Sequence, residues 1–428
     1  MPKVKPFKAL IYDQDRIKDL SRVICPPYDI ISPERQEYLH DLDPHNFIHI
    51  VLGRDTPQED KYKRAASCFN AWLADKILIQ DKEPAVYVYV QDYKIRGENK
   101  SRLGFIALLR LPEKNTSVFG HERTSLAPKE DRLKLLKSTR ANLSPIFVVF
   151  QDKRRIISVI LKEYIADKEA FIDIIDDEGN GHKVWRISQP DILRKIQGYM
   201  EDEDIFIADG HHRFEVACAY RDAELQKIEK PSGEEDFRYT LAYFTNTDTR
   251  GLCILPVHRI VTLGSVIDTN NLILALKEYF DVEEVKDKDK IRFFFLLEKA
   301  GRNEHAIGMY KDGQYWLLRL KNVKLLDKVM GDRPPAFRQL DISIFNQMVL
   351  SRLVSSGIQE TGIVYTQNAN EVLEAVDQNP ASIGFLLNPA KIEQVTAVAL
   401  SGEKMPPKST YFYPKVTSGL VINKHQEL

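Results

Sequence analysis

Near the middle of this 428-residue chain an apolar run stops at an acid and a glycine, and two histidines and an arginine follow at once. The stretch reads Asp204-Ile205-Phe206-Ile207-Ala208-Asp209-Gly210-His211-His212-Arg213-Phe214-Glu215-Val216-Ala217. Five mainly apolar residues ending at Asp209 predict a short buried strand. Gly210 permits a tight turn and close backbone approach. The segment after it predicts a helix whose first turn holds His211, His212 and Arg213. The first N–H groups of a helix have no intrahelical acceptor. An arginine fork beside them suits phosphate or carboxylate oxygens. The chain here must therefore pass from strand to helix through a glycine, and the turn is a candidate anion cradle.

The rest of the chain sets limits on what surrounds that turn. Its length exceeds one ordinary core and predicts two or three domains. We place them at 1–145, an N-terminal α/β domain; 146–264, a central domain around the turn; and 265–428, a C-terminal α/β domain whose tail docks back on the site. The expected fold class is α+β, or mixed α/β. Apolar residues make up 43% and charged residues 29%, the balance of a globular protein. The formal net charge of −1 gives no overall pull toward nucleic acid or an acidic membrane. Cys25, Cys68, Cys218 and Cys253 are widely spaced without a CxxC pair, so neither a disulfide framework nor a zinc knuckle is expected. No apolar run approaches the roughly 20 residues of a membrane span, and the N-terminus lacks a signal-peptide core. These features together predict a cytoplasmic protein with no membrane partner. Its oligomeric state is not legible.

In chain order, Pro26-Pro27 fixes a rigid turn that presents Tyr28 and Asp29, a structural bend or the rim of a site. Residues 58–76 predict an amphipathic helix, and Ala85–Val90 and Gly104–Leu109 predict a hairpin. The polar cluster His121-Glu122-Arg123-Thr124 leads to Lys129-Glu130-Asp131-Arg132 and on to Arg140. Lys129 and Arg132 share one helical face, which suits either an anion or solvent. Ile146–Phe150 and Tyr239–Phe244 predict strands. His258 and Arg259 follow the strand Leu252–Leu255, at the kind of strand end where α/β sheets build sites. Ile291–Leu297 also predicts a strand. The aromatic, lysine-bearing tail around Lys408 and Lys415 is expected to dock rather than dangle.

Three readings fit the paired histidines: phosphate binding or acid–base chemistry, metal ligation, and structural roles. Adjacent histidines rarely chelate one ion together and no HxxxH motif is present, so no metal site is expected.

Several motifs occur in a fixed order: Pro26-Pro27-Tyr28-Asp29-Ile30-Ile31, His121-Glu122-Arg123-Thr124, Lys129-Glu130-Asp131-Arg132, Asn142-Leu143-Ser144-Pro145-Ile146-Phe147, Ala208-Asp209-Gly210-His211-His212-Arg213 and Lys408-Ser409-Thr410-Tyr411-Phe412-Tyr413-Pro414-Lys415. In these the chain closely resembles domain-of-unknown-function family 1015 of bacteria and archaea, over almost its whole length. That resemblance implies no settled activity. Locally, Asp209-Gly210-His211-His212-Arg213 also resembles the strand-to-helix motif of the superfamily of ParB nucleotidases, sulfiredoxin and free-serine kinases. The resemblance implies that His211, His212 and Arg213 bind nucleotide phosphates. Sulfiredoxin places a cysteine directly after the glycine, where this chain has His211, so the resemblance does not extend to that repair chemistry. ParB proteins carry DNA-binding elements, and neither a helix-turn-helix nor a basic stripe is evident here.

The expectation is a nucleotide-dependent phosphotransferase acting on a small hydroxyl-bearing metabolite, an amino acid such as serine among the candidates. ATP or ADP would bind with magnesium. Gly210, Arg213, Lys129, Arg132 and Arg140 would hold the phosphates with His211 and His212, and Glu122 or Asp209 would take the hydroxyl proton. Tyr28, Asp29, His121, Arg123, His258, Arg259, Lys408 and Lys415 are the candidate substrate groups. The partner is then a small phosphate-containing molecule, and nucleic acid is not expected. Two other classes stay open: a metal-dependent phosphoester hydrolase using His211, His212 and Asp209, and a non-enzymatic nucleotide- or DNA-binding regulator of ParB type.

Overall fold

The strand-to-helix turn is built into a mixed sheet whose strands come from far apart in the chain. A computed structural model describes residues 2–56, 59–113, 117–355 and 360–426. The fold is mixed α+β, and the chain divides into two compact units. The first comprises Met1–Gly120, Thr124–Cys253 and Pro414–Leu428; the second comprises His121–Arg123 and Ile254–Tyr413.

The first unit is organised on a nine-stranded sheet. In chain order its strands are β1 (Val4–Lys5), β2 (Val86–Ile95), β3 (Glu98–Arg110), β4 (Val118–Gly120), β5 (Ile146–Phe150), β6 (Ile172–Ile175), β7 (Gly181–Ile187), β8 (Ile205–Asp209) and β9 (Tyr239–Asn246). Across the sheet the order is β4-β8-β5-β9-β3-β2-β7-β6, with β1 beside β3. The β4–β8 and β5–β9 pairs are parallel and the other pairs antiparallel. Alternation sorts the side chains between two faces. Val88, Phe105, Val148, Ile205, Ile207 and Phe244 turn to one face, where the helices Ile156–Ile165 (α2) and Pro190–Met200 (α3) cover them. On the other face the helices Leu126–Thr139 (α1) and His211–Leu225 (α4) meet through Leu136, Val216, Tyr220 and Phe237. The segment after Pro414 is woven into this unit. Ser418 pairs with Cys25, Ile422 with Leu10, and Asn423–Lys424 with Ala141–Asn142.

Strands on both sides of residue 145 thus share one sheet, and the main segment of the second unit begins at Ile254. This differs from the expected division at 1–145, 146–264 and 265–428. Sheet pairing joins β5 and β8 to β3, and sequence spacing carries no trace of that joining.

The second unit holds a six-stranded sheet. Its strands are β10 (His258–Leu263), β11 (Phe280–Glu284), β12 (Ala306–Lys311), β13 (Gln314–Leu320), β14 (Glu360–Thr366) and β15 (Ser382–Leu387), in the order β11-β13-β12-β15-β10-β14. Both faces are covered, one by a core with Val261, Met309, Leu318 and Phe385, the other by a core with Ile260, Tyr310, Leu317 and Leu386. Residues 291–297, expected as a strand, lie in a helix, α5 (Lys290–Gly301). The Asp289 carboxylate accepts the Arg292 N–H at its start. Phe293, Leu297 and Ala300 then fall at helical spacing and are buried, while Ile291 and Phe295 stay exposed. The apolar run is equally compatible with a strand, and only packing decides between them. Among the described residues, no helix is long and apolar enough to cross a membrane.

Candidate functional site

Asp209 reaches its place through an irregularity in β8. The register with β5 shifts between Ile207 and Asp209, so that Ile207 pairs with Val148 and Asp209 with Phe147. A bulge of this kind re-aims the next side chain. Asp209 is thereby set on the side of Phe147, opposite the core that holds Ile205 and Ile207. Gly210 follows with φ +87°, in the left-handed region. A Cβ there would stand 3.1 Å from the guanidinium of Arg213, so both conformation and space call for glycine. The glycine supplies no side-chain cap to α4, and its carbonyl accepts the N–H of Phe214 at 2.9 Å.

A buried charge cluster fixes the turn from behind. Arg213 Nη2 donates to Asp209 Oδ2 at 2.9 Å, and its Nη1 donates to the Pro145 carbonyl. Lys415 Nζ closes on Asp209 Oδ1. Arg102, fully buried, donates to the Pro414 carbonyl at 2.6 Å and to Gln91, with its guanidinium 4.5 Å from the centre of the Phe147 ring. Gln91 in turn donates to the Lys415 carbonyl at 3.0 Å. Burial opposes ionisation of Asp209, but Lys415, Arg213 and Arg102 outweigh it and hold the carboxyl below its usual range. Arg102 and Gln91 did not emerge from the sequence reading. The available signal was their position in β3 and β2, as polar side chains inside apolar strands.

A second wall stands beside this cluster. Arg132 lies 4.0 Å over the Tyr28 ring, donates through Nη1 to the Val51 carbonyl at 2.6 Å, and is clasped by Asp131. Asp131 also accepts from the Tyr62 hydroxyl at 2.7 Å and pairs with Lys61 at 3.4 Å. Burial, reinforced by Asp29 and Asp131 and opposed by Arg132 and Arg213, pushes the Tyr28 hydroxyl up to about 12. Tyr28, Arg132, Asn142, Ser144 and Arg213 line one cavity, whereas Asp29 is exposed.

The remaining first-unit candidates divide. His212 Nε2 accepts the backbone N–H of Ser125 at 3.2 Å, at the residue just before α1. Glu215 accepts from Thr124 at 2.5 Å and pairs with Lys129 at 3.2 Å. This face of α4 therefore holds the start of α1, and Lys129 is directed to Glu215 while Arg132 is directed to Tyr28 and Asp131. His211 is buried. Arg140 lies at the far end of α1. It ends α1 in the left-handed region at φ 48°, and its charge acts on Tyr220 and His425, some two turns or more along α4 from Gly210.

Six candidates belong to the second unit: His121, Glu122, Arg123, His258, Arg259 and Lys408. His121 meets the Thr410 hydroxyl at 3.2 Å, and its carbonyl accepts the Met405 N–H at 2.7 Å. His258 is buried and its Nδ1 accepts the Leu387 N–H at 3.2 Å. Arg259 is buried between Phe345 and Tyr365 and donates to the carbonyls of Val257 and of Lys408, the latter at 2.8 Å. Burial brings its guanidinium down to about 10. His258 and Arg259 thus serve backbone atoms of their own unit. Lys408 is exposed, with φ +57°. Among the described residues, no group of three or more His, Cys, Asp or Glu side chains is placed to hold a metal ion.

No curated protein matches the chain. Among solved structures, a free serine kinase in complex with AMP is 15% identical with a TM-score of 0.32, over 69% of this chain and 83% of that one. A conserved hypothetical protein from Pyrococcus furiosus is 14% identical with a TM-score of 0.33, over 72% and 92%. SbnI with a C-terminal truncation, from Staphylococcus aureus, is 10% identical with a TM-score of 0.37, over 74% and 86%. The family model described as "Protein of unknown function (DUF1015)" matches residues 4–343, and the chain belongs to that family.

Proposed function

We propose that this chain is a nucleotide-dependent phosphotransferase acting on a small hydroxyl-bearing metabolite, with the turn at Gly210 as its phosphate cradle. The observation that carries this reading is the start of α4 at a left-handed glycine, beside a cavity walled by Tyr28, Arg132 and Arg213. The first turn of a helix favours negative charge, and two guanidinium groups on the same cavity strengthen that preference. Arg213 is preset by Asp209 and the Pro145 carbonyl, so its geometry does not depend on the ligand.

In this reading Asp209 positions Arg213 and Lys415. The cations that hold it ionised make it a weak base, so proton acceptance does not fall to Asp209. The γ-phosphoryl group passes to the hydroxyl oxygen: a new P–O bond forms, the bond to the β-phosphate oxygen breaks, and the hydroxyl proton leaves to solvent. Asp209 is committed to Lys415 and Arg213, and Glu215 to Lys129 and Thr124, so these carboxylates do not make a magnesium site.

The test is phosphorus NMR of the full-length protein incubated with ATP, magnesium and a panel of hydroxyl metabolites that includes serine. The expected result is a new phosphomonoester signal and ADP that depend on one member of the panel. Hydrolysis of ATP or of phosphoesters without transfer, or steeply salt-dependent DNA binding without nucleotide binding, would overturn the reading.

A further inference from the structure

Two histidines that the phosphotransferase reading does not use meet inside the first unit. His40 lies in the last turn of the helix Pro33–Leu42 and His49 in the short helix Ile48–Val51. His40 is buried and His49 half-buried. Their rings stand edge to face with centres 4.5 Å apart, and the two Nδ1 atoms approach to 3.1 Å. The opposite nitrogens are both committed. His40 Nε2 lies 3.0 Å from the Leu52 carbonyl oxygen, and His49 Nε2 lies 3.2 Å from the Asp43 carbonyl oxygen.

A carbonyl only accepts, so each Nε2 carries a hydrogen and donates it. In a neutral imidazole the other nitrogen is then a bare acceptor. Two neutral rings would set two lone pairs against each other across 3.1 Å. One added proton turns that contact into an N–H···N hydrogen bond of ordinary length, and a second would set two cations against each other. A metal ion does not serve instead. Among the described residues no third His, Cys, Asp or Glu joins the two nitrogens, and the Arg54 guanidinium acts on both rings.

The surrounding charges admit one proton rather than two. Burial, with Arg54, pushes both imidazoles down, while Glu37 beside His40 and Asp43 beside His49 pull the other way. Arg54 is itself held by Glu37 at 2.6 Å and Asp41 at 2.7 Å, and Asp43 also faces His45 at 3.7 Å. On the helix Lys61–Ala74, which packs against Ile48–Val51, Arg64 is turned to the Arg54 carbonyl and the Thr56 hydroxyl. The segment fastened by the histidines also supports Arg132. The Leu52 carbonyl accepts from His40 and from Gln36 Nε2, both at 3.0 Å, and the adjacent Val51 carbonyl accepts from Arg132 at 2.6 Å.

We propose that His40 and His49 hold one shared proton and form a pH-sensitive clamp on the Val51–Leu52 segment, closed while the proton is present and released when it leaves. Arg132 lines the cavity at the Gly210 turn, so release is a route from pH to the ligand site. That consequence rests on the phosphotransferase reading; the shared proton does not, and its test uses no nucleotide.

The measurement is nitrogen NMR of the full-length protein carrying heavy nitrogen in its histidine, valine and leucine residues, followed from about pH 5 to pH 9. Both Nε2 atoms are expected to stay protonated throughout. The two Nδ1 signals should move together, in one step that accounts for one proton between them. The backbone signals of Val51 and Leu52 should move with the same midpoint. In His49→Asn the side-chain amide takes the place of Nδ1 and donates to a neutral His40, so those backbone signals should no longer follow pH; an unchanged remainder of the spectrum checks its fold. The wild-type titration decides the matter by itself if the variant does not fold. The proposal is overturned if the rings take up one proton each, if both Nδ1 atoms stay bare down to the lowest pH at which the protein is folded, or if Val51 and Leu52 do not follow the imidazole step. It is overturned too if elemental analysis of the purified protein finds a transition metal that His49→Asn loses.

Discussion

Asp209 is held by cations from two directions, Arg213 one helical turn ahead and Lys415 from 206 residues away. Removing one partner of a buried pair leaves uncompensated charge, which costs about 3 kcal/mol or more. Lys415→Met is therefore expected to lower the unfolding free energy by about 3 kcal/mol in a urea titration at neutral pH. The pH dependence has a definite sign. A carboxylate whose folded pKa is depressed contributes stability that is full above its unfolded value of about 3.9 and is lost as pH falls through the folded value. The deficit of Lys415→Met should accordingly be constant above about pH 4 and narrow below it; a deficit that grows on acidification would contradict the assignment. Five adjacent residues, Asp209 to Arg213, made this place legible in the sequence. Their partners Arg102 and Lys415 were less so, because an arginine inside a strand and a lysine in a tail acquire meaning only when pairing sets them around one carboxylate.

At the scale of elements, the strand-to-helix passage at Gly210 was readable because strand, glycine and helix are consecutive. The second wall was less so: α1 carries Lys129 to Glu215, Arg132 to Tyr28 and Asp131, and Arg140 toward Tyr220 and His425. Helical spacing gives a shared face, and packing decides what that face meets. The tail strand Asn423–Lys424 makes a measurable claim of its own. His425 follows it, buried against Tyr220 with a ring-centre distance of 5.8 Å. Burial pushes its imidazole down to about 4, with Arg140 adding to the effect and Asp236 and Glu224 opposing it. A histidine kept neutral in the fold contributes stability that is full above its unfolded pKa and is lost as pH falls toward the folded one. The protein should therefore lose up to about 3 kcal/mol between roughly pH 6.5 and pH 4 from this group. His425→Gln should remove that part of the slope in urea titrations across the same window; an identical slope would show that His425 is not buried neutral.

At the scale of the whole chain, mixed strand and helix patterns made the α+β class legible, and the two-unit partition stayed hidden. The first unit draws on three separate segments, and its last, Pro414–Leu428, pairs with strands or bridges near residues 10, 25 and 141. Deleting residues from Pro414 onward should abolish cooperative unfolding of the first unit, followed by the fluorescence of Trp72 and Trp185, both of which lie in it. A truncated chain that still unfolds cooperatively would show that the tail is an accessory. In the proposed function the Gly210 turn binds nucleotide phosphate. Its most direct test is isothermal titration of ATP into the wild-type protein and into Gly210→Val, whose Cβ would meet the Arg213 guanidinium and strain a φ of +87°. Saturable binding by the wild type and at least a tenfold loss, about 1.4 kcal/mol, in a variant that still folds are expected; equal affinity in the two proteins, or no binding by the wild type, would show that the turn does not hold the phosphates.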